Sequence, residues 1–222
     1  MKLIEYKSVY PCPQGFTITN RFIYIVNIKD NDNEKAARYD KFTRKRLGAV
    51  KFTGEIRHAN DMTWTGNKIL LAPGNGRKEI IVLDEMMKIL DTVKVPLDIV
   101  SLSGVAYDPV SRLTAVYGGD NHKIYVLDKI PGDPLFSFTH TGKSLQSIAF
   151  RDWVVYGLRS SGEVMLTTVD GAVIQTARLG TTGEHENIEI RNGRIFWTVY
   201  ENEKTILYCE PMNEITQNVM IV

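Results

Sequence analysis

The sequence predicts an all-β fold, namely a five-bladed β-propeller made of four-stranded antiparallel blades. Three observations lead to this prediction. A short strand-like motif recurs five times, a second strand that ends in an acidic residue also recurs five times, and both have a period in the low forties. Four strands in a repeat of this length are typical of propellers. No segment shows the sustained 3.6-residue periodicity of a long amphipathic helix.

The first motif begins with two polar or small residues. An apolar residue, a small or polar residue and a second apolar residue follow. Its copies are QGFTI (14–18), NDMTW (60–64), SGVAY (103–107), QSIAF (146–150) and ENIEI (186–190). The first apolar positions are 46, 43, 43 and 40 residues apart. We interpret each copy as the start of the innermost strand of a blade.

The second motif is an apolar strand that ends in an acidic side chain, and it runs out of phase with the first. Its copies end at Asp40, Asp84, Asp128, Asp170 and Glu210, with spacings of 44, 44, 42 and 40 residues. Asp at the end of a strand commonly bonds the backbone of the following turn. We therefore expect these acids to form turns and not to bind a ligand.

Each repeat contains four short strands separated by turn residues. The segment KEIIVLDEMMKILDTVKV (78–95) alone could form an amphipathic helix, but its alignment with HKIYVLD (122–128) predicts strands. The predicted blades cover roughly residues 11–53, 54–98, 99–141, 142–181 and 182–222, in a single domain of residues 1–222. Residues 1–10 supply a closing strand. It either pairs with the C-terminal QNVMIV (217–222) or becomes the outermost strand of the last blade.

Composition limits the classes of function. Hydrophobic residues make up 43% of the chain, charged residues 24%, and the formal net charge is +1, so nothing indicates a nucleic-acid partner. With neither an apolar leader nor a run of about eighteen apolar residues, we expect no signal peptide, no membrane insertion, and a cytoplasmic location. Cys12 and Cys209 are expected to be free thiols, with a disulfide joining the two ends of the chain as the alternative.

No metal or cofactor is expected, because four histidines and two scattered cysteines have no zinc-ligand spacing. Trp64, Tyr107 and Phe150 share one position of the repeat, which favours packing between blades over ligand stacking. The basic run KFTRKR (41–46) is expected on the outer strands of the first blade, as a solvated edge.

The candidate site follows from the repeat. The innermost strands of a propeller line a central channel, and the loops that lead into them lie on one face, where ligands usually bind. HAND (58–61) and EHEN (184–187) are the richest of these loops. The alternative is that these polar groups only satisfy one another and the neighbouring backbone. The predicted ligand-binding residues around this opening are His58, Asn60, Asp61, Gln146, Glu184, His185, Glu186 and Asn187.

The segments 58–64 and 68–72, HANDMTW and KILLA, resemble the beginning of a blade in one group of five-bladed propeller modules. These modules occur in receptor-binding and tail-associated proteins of phages of Gram-positive bacteria, where a HANDMTY-like segment precedes an xKIYVA-like strand. The resemblance implies a ligand-binding or scaffold module in a phage protein, with cell-surface carbohydrate as one possible ligand and a virion-associated location as the alternative to a cytoplasmic one. It transfers no catalytic residue.

Three functions are compatible with the sequence. We favour a non-enzymatic module that binds a glycan or a protein at the rim. The second is a hydrolase, glycosidase- or lactonase-like, that uses Asp61 with Glu184 or Glu186, or that binds calcium through Asn60, Asp61 and Glu186. The third is a protein-interaction scaffold that binds another protein through the rims or sides of its blades. The sequence does not define an oligomeric state.

Overall fold

Five antiparallel sheets of four strands make up the protein, which confirms the predicted fold class. The computed structural model describes residues 1–7, 13–27, 35–52, 56, 58–74, 76–95, 98–141 and 144–213. Four of the sheets are meanders in which consecutive strands pair, and the fifth joins three consecutive strands to the first strand of the chain. Short runs of β-branched and aromatic residues form the strands, and turn-forming residues separate them.

The strands of the first four blades are given from the innermost to the outermost. Blades one and two consist of β2 (Pro13–Ile18), β3 (Phe22–Asn27), β4 (Lys35–Asp40), β5 (Arg46–Lys51), β6 (Asp61–Trp64), β7 (Ile69–Ala72), β8 (Glu79–Leu83) and β9 (Ile89–Lys94). Blades three and four consist of β10 (Leu102–Tyr107), β11 (Thr114–Gly118), β12 (Lys123–Leu127), β13 (Pro134–Thr139), β14 (Ser147–Arg151), β15 (Val154–Leu158), β16 (Glu163–Thr168) and β17 (Val173–Arg178). Strands β8 and β9 confirm the strand prediction for the segment that could have formed a helix.

Blade five closes the ring with the first strand of the chain. It consists of β18 (Glu184–Arg191), β19 (Arg194–Glu201), β20 (Lys204–Pro211) and, outermost, β1 (Lys2–Lys7). Of the two arrangements predicted for residues 1–10, the structure therefore has the one in which they complete the last blade. The segment QNVMIV lies outside the described residues.

The innermost strands form a closed circle around the channel. Strand β2 contacts β6, β6 contacts β10, β10 contacts β14, β14 contacts β18, and β18 contacts β2. All five run in the same direction, so their first residues lie together at one end of the channel. We call that end the mouth.

Apolar clusters between blades hold the ring together. One cluster, for example, joins Tyr24 and Val26 of blade one to Trp64, Ile69 and Leu71 of blade two. Because neighbouring blades bury both faces of a sheet, the strands are apolar on both sides. Trp64 lies in this cluster, and Phe150 is buried in the cluster between blades three and four, as predicted, while Tyr107 is only half buried.

Three of the predicted turn-forming acids bond the backbone that follows them. Asp40 Oδ1 accepts hydrogen bonds from the amides of Phe42 and Thr43, and Asp84 Oδ1 accepts one from the amide of Met86 at 2.8 Å. Asp170 Oδ1 accepts one from the amide of Ala172. The prediction for the basic run was wrong in part, since residues 41–45 lie in the turn between β4 and β5 and not on a strand.

Cys209 is buried and carries a free thiol, whereas Cys12 lies outside the described residues. Within the part of the chain that the structure describes, no helix has the length and apolar character needed to cross a bilayer.

The closing strand should contribute measurably to stability. Ile4 of β1 is 5% exposed and packs beside Phe16 and Leu207. We expect Ile4→Ala to lower the free energy of unfolding by about 2–4 kcal/mol, because it leaves a cavity where β1 joins the ring. Urea denaturation measures this change. The exposed Lys7→Ala in the same strand is the control, and equal stability of the two variants would contradict the closure.

Candidate functional site

Irregular pairing at the start of three innermost strands determines which side chains face the channel. The register between paired strands shifts at Pro13/Gly15 in blade one, at Leu102/Gly104 in blade three and at His185/Asn187 in blade five. A β-bulge interrupts the strict alternation of side chains and re-aims them. As a result, two successive residues of one strand, Glu186 and Asn187, both contribute to the polar groups in the channel.

A single layer of five equivalent residues closes the channel. We call it the axial layer, and it consists of Gly15, Asp61, Gly104, Ser147 and Asn187. Asp61 lies at its centre with no solvent exposure. Its Oδ1 accepts hydrogen bonds from Asn187 Nδ2 at 2.7 Å, Ser147 Oγ at 3.1 Å and its neighbour Met62 N at 3.0 Å. Its Oδ2 accepts from the amides of Val105 at 3.2 Å and Ile148 at 3.3 Å.

The two glycines of the axial layer make room for this carboxylate. A Cβ atom at Gly104 would lie 3.0 Å from Tyr117 Cβ and 3.4 Å from Asp61 Oδ2, and one at Gly15 would lie 3.0 Å from the Ala59 carbonyl oxygen. The side chain of Asp61 can therefore extend across the channel, because Gly15 and Gly104 have no side chain at the equivalent positions. Asn187 Nδ2 also donates to the Gln14 carbonyl at 3.2 Å, which extends the network to blade one.

The environment of Asp61 suits a structural role. Burial raises the pKa of this carboxyl to about 7, while the hydrogen bonds from Asn187, Ile148, Val105 and Ser147 lower it. Both oxygens are enclosed by donors from three other blades, so the carboxylate is not accessible to a substrate. The hydrolase hypothesis that assigns Asp61 as an acid or base has no support in this geometry.

A second polar group lies one step nearer the mouth. We call it the mouth cluster, and it consists of Gln14, His58, Asn60 and Glu186. His58 Nε2 lies 3.2 Å from Gln14 Oε1 and 3.1 Å from Asn60 Oδ1, and Gln14 Nε2 donates to Glu186 Oε2 at 3.3 Å. Gln14, His58 and Asn60 are half buried, and Glu186 is 2% exposed.

The hydrogen-bond pattern fixes the proton positions in the mouth cluster. Asn60 Nδ2 donates to the Ser103 carbonyl, and Gln14 Nε2 donates to Glu186, so both amide oxygens face His58. His58 must then carry its proton on Nε2, as a donor. Burial lowers the pKa of His58 more than its bond to Asn60 raises it, so the ring is neutral at pH 7.

The structure brings together some of the predicted site residues and separates others. His58, Asn60 and Glu186 lie in the mouth cluster, and Asp61 and Asn187 lie in the axial layer beneath it. Gln146 is half buried and donates its backbone amide to the Leu158 carbonyl, and Glu184 is exposed.

His185 lies away from both polar groups. Its ring is buried against Gly162, and Nε2 lies 2.8 Å from Thr181 Oγ1. Burial lowers the pKa of this imidazole. The neighbouring bulge places Glu186 and Asn187 in the channel, which is why the adjacent His185 packs elsewhere.

Sequence reasoning did not single out Gln14, Ser147 or Glu189. Gln14 and Ser147 occupy the same repeat positions as Asn60 and Asp61, so the alignment of the repeats contained the signal. Their own segments lack the density of polar residues that made HAND and EHEN conspicuous. Glu189 lies inside a strand and has only apolar or uncharged counterparts in the other blades, so no local pattern marks it.

Glu189 is a second buried acid, beyond the axial layer as seen from the mouth. It is 7% exposed, and its Oε2 accepts a hydrogen bond from the Ile18 amide at 3.0 Å. Burial raises the pKa of Glu189 to about 8, although nearby Arg191 lowers it. Glu189 and Thr63 line a small cavity of about 10 Å³, the space of about one water molecule. No trio of His, Cys, Asp or Glu among the described residues is arranged to hold a metal ion.

No protein-family model and no curated protein matches this sequence. Among solved structures, the chain is similar to the glutaminyl cyclase of Myxococcus xanthus, with a TM-score of 0.69 and 11% sequence identity. The superposition covers 95% of this chain and 96% of that chain. At this identity the likeness establishes a shared fold and assigns no function to individual residues.

Proposed function

We propose that the protein is a ligand-binding propeller that recognises its ligand with the mouth cluster. The observation that carries this proposal is the difference between the two polar layers. The axial layer is enclosed and its central carboxylate is satisfied by the protein itself. The mouth cluster joins side chains of blades one, two and five, and three of its four members keep part of their surface exposed.

The chemistry of the mouth cluster suits a hydroxyl-rich ligand. Amide, imidazole and carboxylate groups alternate as donors and acceptors. A sugar hydroxyl can both accept from and donate to the half-buried amides of Gln14 and Asn60, and the buried Glu186 orients Gln14 by accepting its hydrogen bond. A rigid ring of blades holds these groups in fixed positions, which reduces the entropy lost on binding. A cell-surface glycan is therefore the ligand class we propose, in agreement with the resemblance of HANDMTW to phage receptor-binding modules. A protein ligand at the same mouth is the alternative.

Titration of the protein with fragments of bacterial cell-wall glycans tests the proposal. We expect His58→Ala and Glu186→Gln each to weaken binding by about tenfold or more, since each removes a hydrogen bond worth about 1.4 kcal/mol in a partly buried site. Glu184→Gln is the matched control, because Glu184 is exposed on the same strand as Glu186. Unchanged binding in both mouth variants would eliminate this site.

A second candidate is an enzyme, and two observations favour it. The Myxococcus xanthus protein is a glutaminyl cyclase, and the likeness covers nearly the whole of both chains. Glu186 is only 2% exposed, but it borders the half-buried Gln14 of the mouth cluster, whereas donors from three other blades enclose Asp61, so Glu186 is the carboxylate that can act as a base. Incubation with a peptide that begins with glutamine separates the candidates. Ammonia release that disappears in Glu186→Gln would establish the enzyme, and its absence with intact glycan binding would support the binding module.

A further inference from the structure

A basic cavity lies on the face opposite the mouth, between blades five and one. It has a volume of about 350 Å³, within the range of sites for small organic ligands. Lys41 and Arg44, in the turn between β4 and β5, form one side, and Arg191 and Arg194, at the β18–β19 turn, form the other. These turns come from opposite ends of the chain and meet only because the ring closes.

Three of the cations around this cavity are not neutralised by an ion pair. Lys41, Arg44 and Arg191 form no ion pair with any residue that the structure describes. Arg191 donates a hydrogen bond to the neutral Asn20 Oδ1 at 3.4 Å. Lys41 and Arg191 are both half buried and close enough for their charges to repel. Burial, with a smaller contribution from this repulsion, lowers the pKa of Lys41.

Two acids, Glu85 and Glu189, lie near Lys41 and Arg191, and neither cancels their charge. Glu85 forms an ion pair with Arg21 at 3.1 Å. Glu189 is buried, and its raised pKa of about 8 leaves it mostly protonated at pH 7. Glu210 does not line the cavity and pairs with the amino group of Met1 at 3.6 Å. The cavity therefore keeps a positive character at neutral pH.

The wall of the cavity is apolar. Ile18 and Ile23 are buried there, and Leu3 and Phe196 are half buried. Basic side chains above an apolar wall complement a molecule that has an anionic head and an apolar body. Arg and Lys bind both carboxylate and phosphate groups, Arg with two parallel hydrogen bonds.

We call this cavity the basic cavity. We propose that it is a second binding site for a small organic anion, namely a carboxylate or phosphate ester attached to an apolar group. It is separate from the mouth cluster and does not depend on the function proposed there. The anion would offset the repulsion between Lys41 and Arg191 while its apolar part covers Phe196 and Ile18. The basic run at residues 41–46, which was expected to form a solvated edge, thus supplies one side of the basic cavity through Lys41 and Arg44.

Titration calorimetry with phenyl phosphate, benzoate, inorganic phosphate and neutral benzyl alcohol tests the proposal. We expect phenyl phosphate or benzoate to bind, and the Lys41→Gln/Arg44→Gln double variant to weaken this binding by about tenfold or more through loss of charge-assisted hydrogen bonds. The two probes distinguish a phosphate head from a carboxylate head. Benzyl alcohol should bind at least about tenfold more weakly than either organic anion.

Arg112→Gln is a matched control for the double variant. Arg112 has φ of 61° and Arg44 has φ of 60°, and each donates its amide to the carbonyl of the aspartate four residues earlier. Arg112 belongs to blade three and does not line the basic cavity. Its variant should bind as the wild type does. No binding of either organic anion at millimolar concentration, equal affinity of the double variant and the wild type, or binding of inorganic phosphate alone would overturn the proposal.

Discussion

Asp61→Ala is expected to lower the free energy of unfolding by about 3–5 kcal/mol, the cost of removing one partner of a buried charged network. The substitution leaves Asn187 Nδ2, Ser147 Oγ and the amides of Val105 and Ile148 without their acceptor in a layer that water does not reach. These donors belong to three blades, so one side chain connects most of the ring. Urea denaturation monitored by tryptophan fluorescence measures the change.

Two further variants identify the cause of this loss. Asp61→Asn keeps the shape of the side chain but turns one acceptor into a donor, so we expect a loss of about 2 kcal/mol or more. Asp91→Asn, in the exposed outermost strand of the same blade, should change stability by less than about 0.5 kcal/mol. If the free energy of unfolding of Asp61→Ala lies within about 1 kcal/mol of the wild-type value, the axial layer does not hold the ring together.

The second large effect is a loss of stability at alkaline pH that originates in Glu189. Its pKa is about 8 in the folded protein, against 4.5 as its ordinary value, so the folded state keeps a proton that the unfolded state has lost. The contribution of Glu189 to the free energy of unfolding is therefore complete below about pH 4.5, and it is lost as the pH rises from about 4.5 to about 8. Asp61, with a pKa of about 7, acts in the same direction.

Stability measured between pH 6.5 and 8.5 isolates these two acids. The pKa values of His58, His140 and His185 are lowered, so their effect has the opposite sign and occurs at lower pH. We expect Glu189 to account for a fall of about 2 kcal/mol across this window, at about 1.4 kcal/mol per pH unit up to its pKa. Glu189→Gln should remove that part of the fall, while the exposed Glu184→Gln should not. If the stability of Glu189→Gln fell with pH as steeply as that of the wild type, Glu189 would not be the origin of the loss.

The fold could be predicted from the sequence because every blade has to solve the same packing problem. The innermost strand has to pack on both neighbours, and the third strand has to turn back, so the apolar triplet and the terminal acid recur. The location of the polar groups followed from the same alignment, which placed residues 126 positions apart, such as Asp61 and Asn187, at one level of the channel.

The division of that polar set into two layers could not be predicted. It depends on β-bulges at Gly15, Gly104 and Asn187, and a bulge shifts the direction of side chains without leaving a mark in a repeat alignment. The same shift explains why His185 packs against Gly162 although its neighbour Glu186 joins the mouth cluster. Glu189 and the basic cavity escaped prediction for another reason, since each depends on contacts between the first and last blades.

Backbone amide NMR, recorded while the glycan that binds is titrated in, tests most directly whether the mouth of the ring is the recognition surface. The proposal predicts that the shifted amides converge on Gln14, His58, Asn60 and Glu186, while those of the β4–β5 turn on the opposite face stay unchanged. Shifts that concentrate on the outer strands β9, β13 or β17, with no change at the four residues of the mouth cluster, would contradict it and would indicate a scaffold that binds through the sides of its blades.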